Sequence, residues 1–221
     1  MFVPESPSSN SIELEMEEEM STLYQSLNSL LSGTQNKVIQ FMSSSSEEGT
    51  STIVREFAMT VASKYGKSVL LVDADLRKPA QFSFFNIKPE HCLEETIRKE
   101  DPVDKALYQV ANSSLLLGQL CKGSDSTRQF FDPSAVDDLL DKLWQRFDFI
   151  LIDSPPATSF SIGLTTTHSI NGVVLVLEAG KTRWPVIKKL TDRINNNKGK
   201  ILGVVFNKQR RYIPDFIYKR L

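Results

Sequence analysis

The sequence predicts a doubly wound α/β domain, a mainly parallel sheet flanked by helices. Two observations carry this. Four short, continuous apolar runs stand out: Val38–Met42, Ser68–Asp73, Phe149–Ile152 and Val173–Leu177. Helical stretches separate them, and uninterrupted Val/Ile/Leu runs are the mark of strands buried on both faces of a parallel sheet. Ser114–Leu117 and Ile201–Phe206 read as two further strands. The repeated alternation of strand and helix selects the doubly wound arrangement. In that arrangement ligands sit beyond the carboxyl ends of the strands, so chemistry is expected after Met42, Asp73, Asp153 and Phe206.

Taken in order, residues 1–11 are rich in Ser and Pro and read as disordered. The spacing turns helical from Ile12 to Leu31, with Met16, Met20, Leu23, Leu27 and Leu30 on one stripe and Ser32-Gly33 as the stop. The expected organisation is a disordered stretch over 1–15 and one domain over 16–221. A helix follows the first strand through Ile53–Ala58. Asp132-Pro133 supplies an N-cap and a first-turn proline for a helix to about Arg146. Thr182 to about Asn195 reads as another, with Pro185 in its first turn.

The 221 residues, 40% of them hydrophobic, suffice for one core of ordinary size. A net charge of −1 excludes a general polyanion binder, and no nucleic acid is expected as a partner. The charge is uneven: residues 1–20 hold six acidic and no basic residues, whereas 181–221 hold twelve Lys/Arg against Asp192 and Asp215. Such a basic end suits an anionic membrane, a nucleotide or an acidic partner, or a merely solvated face. Cys92 and Cys121 fit no metal spacing, and their low number points to a reducing compartment. His91 and His168 are isolated, so no structural metal is expected. With no signal peptide and no apolar run long enough to span a bilayer, the expected location is cytoplasmic, with peripheral membrane contact.

Three segments carry chemistry. After the first strand comes Ser43-Ser44-Ser45-Ser46-Glu47-Glu48-Gly49-Thr50-Ser51-Thr52. Its place and length match the phosphate-binding loop G-x-x-x-x-G-K-[ST], although only Gly49 and Ser51 fit. Ser44 stands at the first glycine and Thr50 at the lysine. Next, the strand ending Val72-Asp73-Ala74-Asp75 places two carboxylates two residues apart, expected on one side of the strand end. Such a pair suits Mg²⁺ and a general base. Last, Ile152-Asp153-Ser154-Pro155-Pro156 places a single carboxylate at another strand end. Each Asp taken singly is as readily a cap or turn residue.

At these residues the chain resembles the bacterial tyrosine kinase (BY-kinase) domains of the CpsD, CapB and Wzc kind, within the MinD/ParA group of P-loop ATPases. The matches are Val72-Asp73-Ala74-Asp75-Leu76-Arg77-Lys78-Pro79, Ile152-Asp153-Ser154-Pro155-Pro156 and Leu202-Gly203-Val204-Val205-Phe206-Asn207. The resemblance implies nucleotide contacts from Ser46, Glu48, Gly49, Thr50, Ser51, Thr52, Asn207 and Arg210. It implies Mg²⁺ at Ser51, Asp73 and Asp153, and activation of a tyrosine hydroxyl by Asp73 and Asp75. It also implies work in capsule or exopolysaccharide assembly with the cytoplasmic segment of an inner-membrane polysaccharide co-polymerase.

The departures from the family pattern qualify this. Thr50 replaces the lysine that reaches the phosphates, and Ser46-Glu47 replaces Pro-Gly. The family's E-x-x-R-x-x-R oligomerisation pattern aligns with Glu18, Ser21 and Tyr24, without either arginine. Ile162 stands where an Asp is common, and of a terminal tyrosine cluster only Tyr212 and Tyr218 remain. The expectation is therefore a degenerate BY-kinase-like regulatory or binding subunit that holds Mg–ATP or Mg–ADP weakly. A working autokinase that borrows Lys78, Lys181 or a partner's lysine is the alternative, and a MinD/ParA-like positioning ATPase ranks below it. Residues 210–221, which interleave basic and large apolar side chains, are the expected docking element.

Overall fold

The computed structural model describes residues 9–75, 78–120, 140–158, 164 and 167–209. Seven strands form one sheet: β1 (Lys37–Ser43), β2 (Val69–Asp73), β3 (Tyr108–Gln109), β4 (Leu115–Gln119), β5 (Phe149–Asp153), β6 (Gly172–Glu178) and β7 (Ile201–Asn207). Their order is β3-β4-β2-β5-β1-β6-β7, and every pairing is parallel except β3 with β4. All six strands read from the sequence are present, and the two-residue β3 is additional. From β1 the chain builds β2 and β4 to one side and β6 and β7 to the other, so strand order reverses beside β1, as in ligand-binding doubly wound sheets.

Each central strand alternates its side chains between two cores. Val38 and Met42 of β1, Leu70 and Val72 of β2, and Ile150 of β5 face one core. Ile39 and Phe41, Val69 and Leu71, and Phe149 and Leu151 face the other. This is period-two geometry with both faces covered, which is why the runs carry no polar alternation. The first core is closed by α5 (Trp184–Asn196) through Leu190 and Ile194. The second is closed by α1 (Ser9–Leu30) and α2 (Thr50–Lys64). Two short helices, α3 (Gln81–Phe84) and α4 (Leu93–Arg98), follow β2. Of the helix expected after Asp132, residues 140–143 are described as helical and Trp144–Arg146 as a 3₁₀ turn.

The first helix begins at Ser9, inside the Ser/Pro-rich stretch. Its inward stripe also differs from the expected one. Met20 and Leu27 are buried, but Leu30 is 54% exposed, and Tyr24 and Leu31 are buried instead. At about 100° per residue, a one-residue slip at the end of a stripe turns a side chain out. Tyr24 stacks on Tyr65 (centroids 3.8 Å apart) and meets Phe149 at 5.8 Å. Where the sequence comparison finds a missing arginine, the chain thus has an aromatic that fastens α1 to its own domain.

Cys92 is disulfide-bonded. The second cysteine, Cys121, lies outside the described residues, as do Ile162, Arg210, Tyr212, Tyr218 and the rest of the basic terminal segment.

Replacing Tyr24 by Ala is expected to cost about 3 kcal/mol in urea unfolding, because it empties a stacked aromatic site. Leu30→Ala should change stability by less than about 0.5 kcal/mol.

Candidate functional site

The carboxyl ends of β1, β5, β6 and β7 meet around the loop 43–50. Parity then decides where the acids go. Asp73 follows Val69 and Leu71, and Asp153 follows Phe149 and Leu151, so both point to the face that α2 covers. The two are register partners on adjacent strands. Burial is nearly complete, at 2% exposure for Asp73 and 1% for Asp153. Asp75, two residues on, has left the strand and lines the cleft above. It stays close enough for its charge to act on both buried acids. Asp73 is tied down by the N–H groups of Gln81 (3.0 Å) and Asp75 (3.2 Å), and Asp153 is its register partner on the next strand.

Burial pushes the Asp73 carboxyl up to about 6, against the pull of its N–H donors. Burial, and then the charge of Asp73, push Asp153 up to about 7, while hydrogen bonds from Gln81 and Ser51 pull it down. No Lys or Arg side chain forms an ion pair with either acid among the described residues.

The loop is built largely from its own groups. The Glu48 carboxylate turns inward at 3% exposure and accepts the N–H groups of Ser44 (2.8 Å) and Ser45 (2.9 Å). It also accepts the hydroxyls of Ser44 and of Thr182, the latter from the turn after β6. The Glu48 carbonyl accepts Asn207 Nδ2 from the end of β7 at 2.9 Å. Lys208 Nζ donates to the carbonyl of Glu47. From β5, the N–H groups of Ala157 and Ser154 bond the carbonyls of Ser43 and Phe41. Gly49 has φ +93°, and a Cβ there would stand 2.1 Å from Asn207 Nδ2, so the position needs glycine twice over. Glu47, at φ +67°, takes the left-handed conformation without being glycine.

Above the loop lies a cleft of about 340 Å³. Ser46, Glu48, Gly49, Thr50, Ser51 and Thr52 line it, as do Asp75, Lys78 and the Ser154-Pro155-Pro156 segment. The first intrahelical bond of α2 runs from the Ile53 N–H to the Gly49 carbonyl. The N–H groups of Gly49, Thr50, Ser51 and Thr52 therefore have no acceptor inside the helix and gather at its positive end, a ready anion site. Thr50 contributes a hydroxyl that is buried without a partner. Asn207, expected beside a nucleotide base, is not among the lining residues; it is committed to the loop backbone. Lys181, offered as a substitute for the missing lysine, pairs with Glu178 at 3.1 Å. Lys78 is the other substitute named, and it does line the cleft.

For a divalent cation the donor set fits in kind. Two carboxylates and the Ser51 hydroxyl are hard oxygen donors, and Asp153 Oδ1 is buried without a hydrogen-bond partner. No cluster of three or more His, Cys, Asp or Glu forms a metal site among the described residues. Mg²⁺ keeps several waters and completes its shell with phosphate, so it needs few protein ligands. When bound, such a cation would supply positive charge at the phosphates and at the two strand-end acids.

A phosphate-type loop between β1 and α2, with strand-end acids on its helix side, defines a P-loop NTPase domain. Residues 34–216 match the ParA family, described as NUBPL iron-transfer P-loop NTPase, and the chain belongs to that family. It is 27% identical over 175 residues to the tyrosine-protein kinase YwqD of Bacillus subtilis, covering 78% of this chain and 73% of that protein. It is 26% identical over 182 residues to the succinoglycan biosynthesis transport protein ExoP of Rhizobium meliloti, covering 81% of this chain but 23% of the longer protein. Among solved structures, the chimerical protein CapA2B2 superposes with a TM-score of 0.79 at 22% identity, over 94% of this chain and 88% of the other. The fold and the resemblance to bacterial tyrosine kinase domains read from the sequence both stand.

The raised acids make stability depend on pH. The folded chain keeps protons that an unfolded carboxyl, with an ordinary value of 3.8, gives up earlier. Stability therefore falls as pH rises through the window from about 4 to about 7. Urea unfolding at pH 5 and pH 8 should differ on the order of 3 kcal/mol, with pH 5 the more stable. Asp153→Asn should remove most of that slope.

Proposed function

We propose that the chain is a degenerate BY-kinase-like subunit of bacterial capsule or exopolysaccharide assembly, with little or no phosphotransfer of its own. The observation that carries this is Thr50 at the phosphate-loop position that calls for lysine. A lysine ammonium about 4 Å from a phosphate charge contributes roughly 4 kcal/mol at an effective dielectric near 20. The Thr50 hydroxyl supplies no charge, and the exposed Glu47 carboxylate on the cleft wall adds a negative one. The open amides of α2 remain, so the phosphate site keeps its dipoles and loses its charge. Weak binding of Mg–ATP or Mg–ADP follows from that division. Asp75, which lines the cleft beyond the buried acid pair, would be the remaining candidate for activating a hydroxyl.

The pathway rests on the polysaccharide-biosynthesis and tyrosine-kinase relatives. In this reading the chain acts in the cytoplasm at the inner membrane. It docks there on the cytoplasmic segment of a polysaccharide co-polymerase, with the basic residues 210–221 as the contact to that segment or to anionic lipid. No helix among the described residues is long and apolar enough to cross a membrane. Tyr24, packed inward, leaves no arginine face for the ring proposed for active relatives.

One observation favours the active alternative: Lys78 lines the cleft and could supply the missing cation. A single set of assays separates the two. Calorimetric titration with Mg–ATP should give a dissociation constant well above micromolar, and labelled ATP should leave no stoichiometric phosphotyrosine. Thr50→Lys combined with Glu47→Gly should tighten ATP binding about tenfold or more. Micromolar affinity in the native chain, lost in Lys78→Ala, would replace this proposal with the active one.

A further inference from the structure

Gln81 opens α3 and is fully buried between the two acids and the phosphate-loop helix. Its backbone N–H donates to Asp73 Oδ2. Its side-chain Nε2 donates to Asp153 Oδ2 at 2.6 Å and to the Ser51 carbonyl at 3.0 Å. One residue thus joins the ends of β2 and β5 to the first turn of α2. Packing holds it there. Phe82 is buried edge-on against Tyr108 at 5.5 Å, and the Phe84 ring lies 3.7 Å below the Arg55 guanidinium of α2.

The way the amide is satisfied tells what holds it. Its N–H side has acceptors on Asp153 and Ser51, whereas its oxygen, though buried, has no partner. Leaving a buried carbonyl unbonded costs about 1–3 kcal/mol. The side chain is therefore held for its donors, and chiefly by the carboxylate, since bonds to charged groups are the stronger ones. A cation between these groups would do two things: neutralise charge and fix Asp153 relative to α2. The amide does the second without the first. It competes with the first at Asp153 Oδ2, because a Mg²⁺–oxygen bond of about 2.1 Å to that atom needs the space that the amide nitrogen fills.

We propose that the Gln81 side-chain amide takes the structural place of a divalent cation, bridging Asp153 to the phosphate-loop helix, and that a cation bridges Asp153 Oδ2 to that helix only by displacing it. This extends the proposed function from the phosphate half of the cleft to the cation half. Its test uses no nucleotide, so the two fail separately.

The test titrates Mn²⁺ into the full chain, following free Mn²⁺ by electron paramagnetic resonance. Gln81→Met keeps the volume and removes the donors; Gln81→Ala removes both. The wild type should bind weakly. Either variant should bind Mn²⁺ about tenfold more tightly or better, since a bond to a charged acceptor no longer competes. Each should also be less stable than the wild type without Mn²⁺ and regain part of the loss with it. Asp153→Asn added to Gln81→Met should abolish the gain. Unchanged or weaker Mn²⁺ binding in a folded variant would overturn the proposal. Should both variants fail to fold, the Gln81 side-chain amide protons of the wild type decide. They should exchange slowly in cation-free buffer and lose that protection at high Mg²⁺. Rapid exchange at the outset, or protection unchanged at the highest Mg²⁺, would count against it.

Discussion

Two carboxylates end neighbouring parallel strands in register, on the face that one helix covers, and both are buried. Most of the site answers to that constraint. Like charges on adjacent strands in a low-dielectric interior need a cation, donors or protons. The chain meets the need with the Gln81 amide, the N–H groups at the start of α3 and the proton affinity that raises both acids. The short helix α3 has a purpose in these terms. Phe82 and Phe84 fix its place, and its first residue reaches both acids.

The phosphate loop is handled in the same manner. Glu48 supplies an internal anion for the amides of Ser44 and Ser45, and Thr182, Asn207 and Lys208 tie the loop to the ends of β6 and β7. The amides at the head of α2 are left open toward the cleft. The position where the phosphate-loop pattern calls for lysine holds Thr50, so the loop keeps its form without that charge.

The sequence made some of this legible and not the rest, for physical reasons. Strands buried on both faces leave long apolar runs, so β1, β2, β5 and β6 could be read almost to the residue. The acids at their ends followed, because strand ends in such sheets carry chemistry. Short elements held by tertiary contacts, β3, α3 and α4, have too few residues for a period to show. Tyr24 escaped because a stripe defined by Met and Leu carried on to Leu30, whereas the core takes an aromatic and then Leu31. Spacing paired Asp73 with Asp75, whose charge does act on it; that register sets Asp153 beside Asp73 on the next strand was beyond local spacing. Asn207 was expected to face a base, and its amide serves the loop backbone. The bridge made by Gln81 depends on a contact 72 residues away, which local pattern cannot reveal, and Thr182, 134 residues on, adds to the local bonds that Glu48 takes from Ser44 and Ser45.

The loop is built by the chain's own Glu48 carboxylate and not by a ligand. Hydrogen exchange at the Ser44 and Ser45 amides tests this most directly. Both should be protected without nucleotide, should lose protection in Glu48→Gln as the charge-assisted bonds weaken, and should be unchanged by Mg–ATP. Amides that exchange freely until Mg–ATP is added would contradict it.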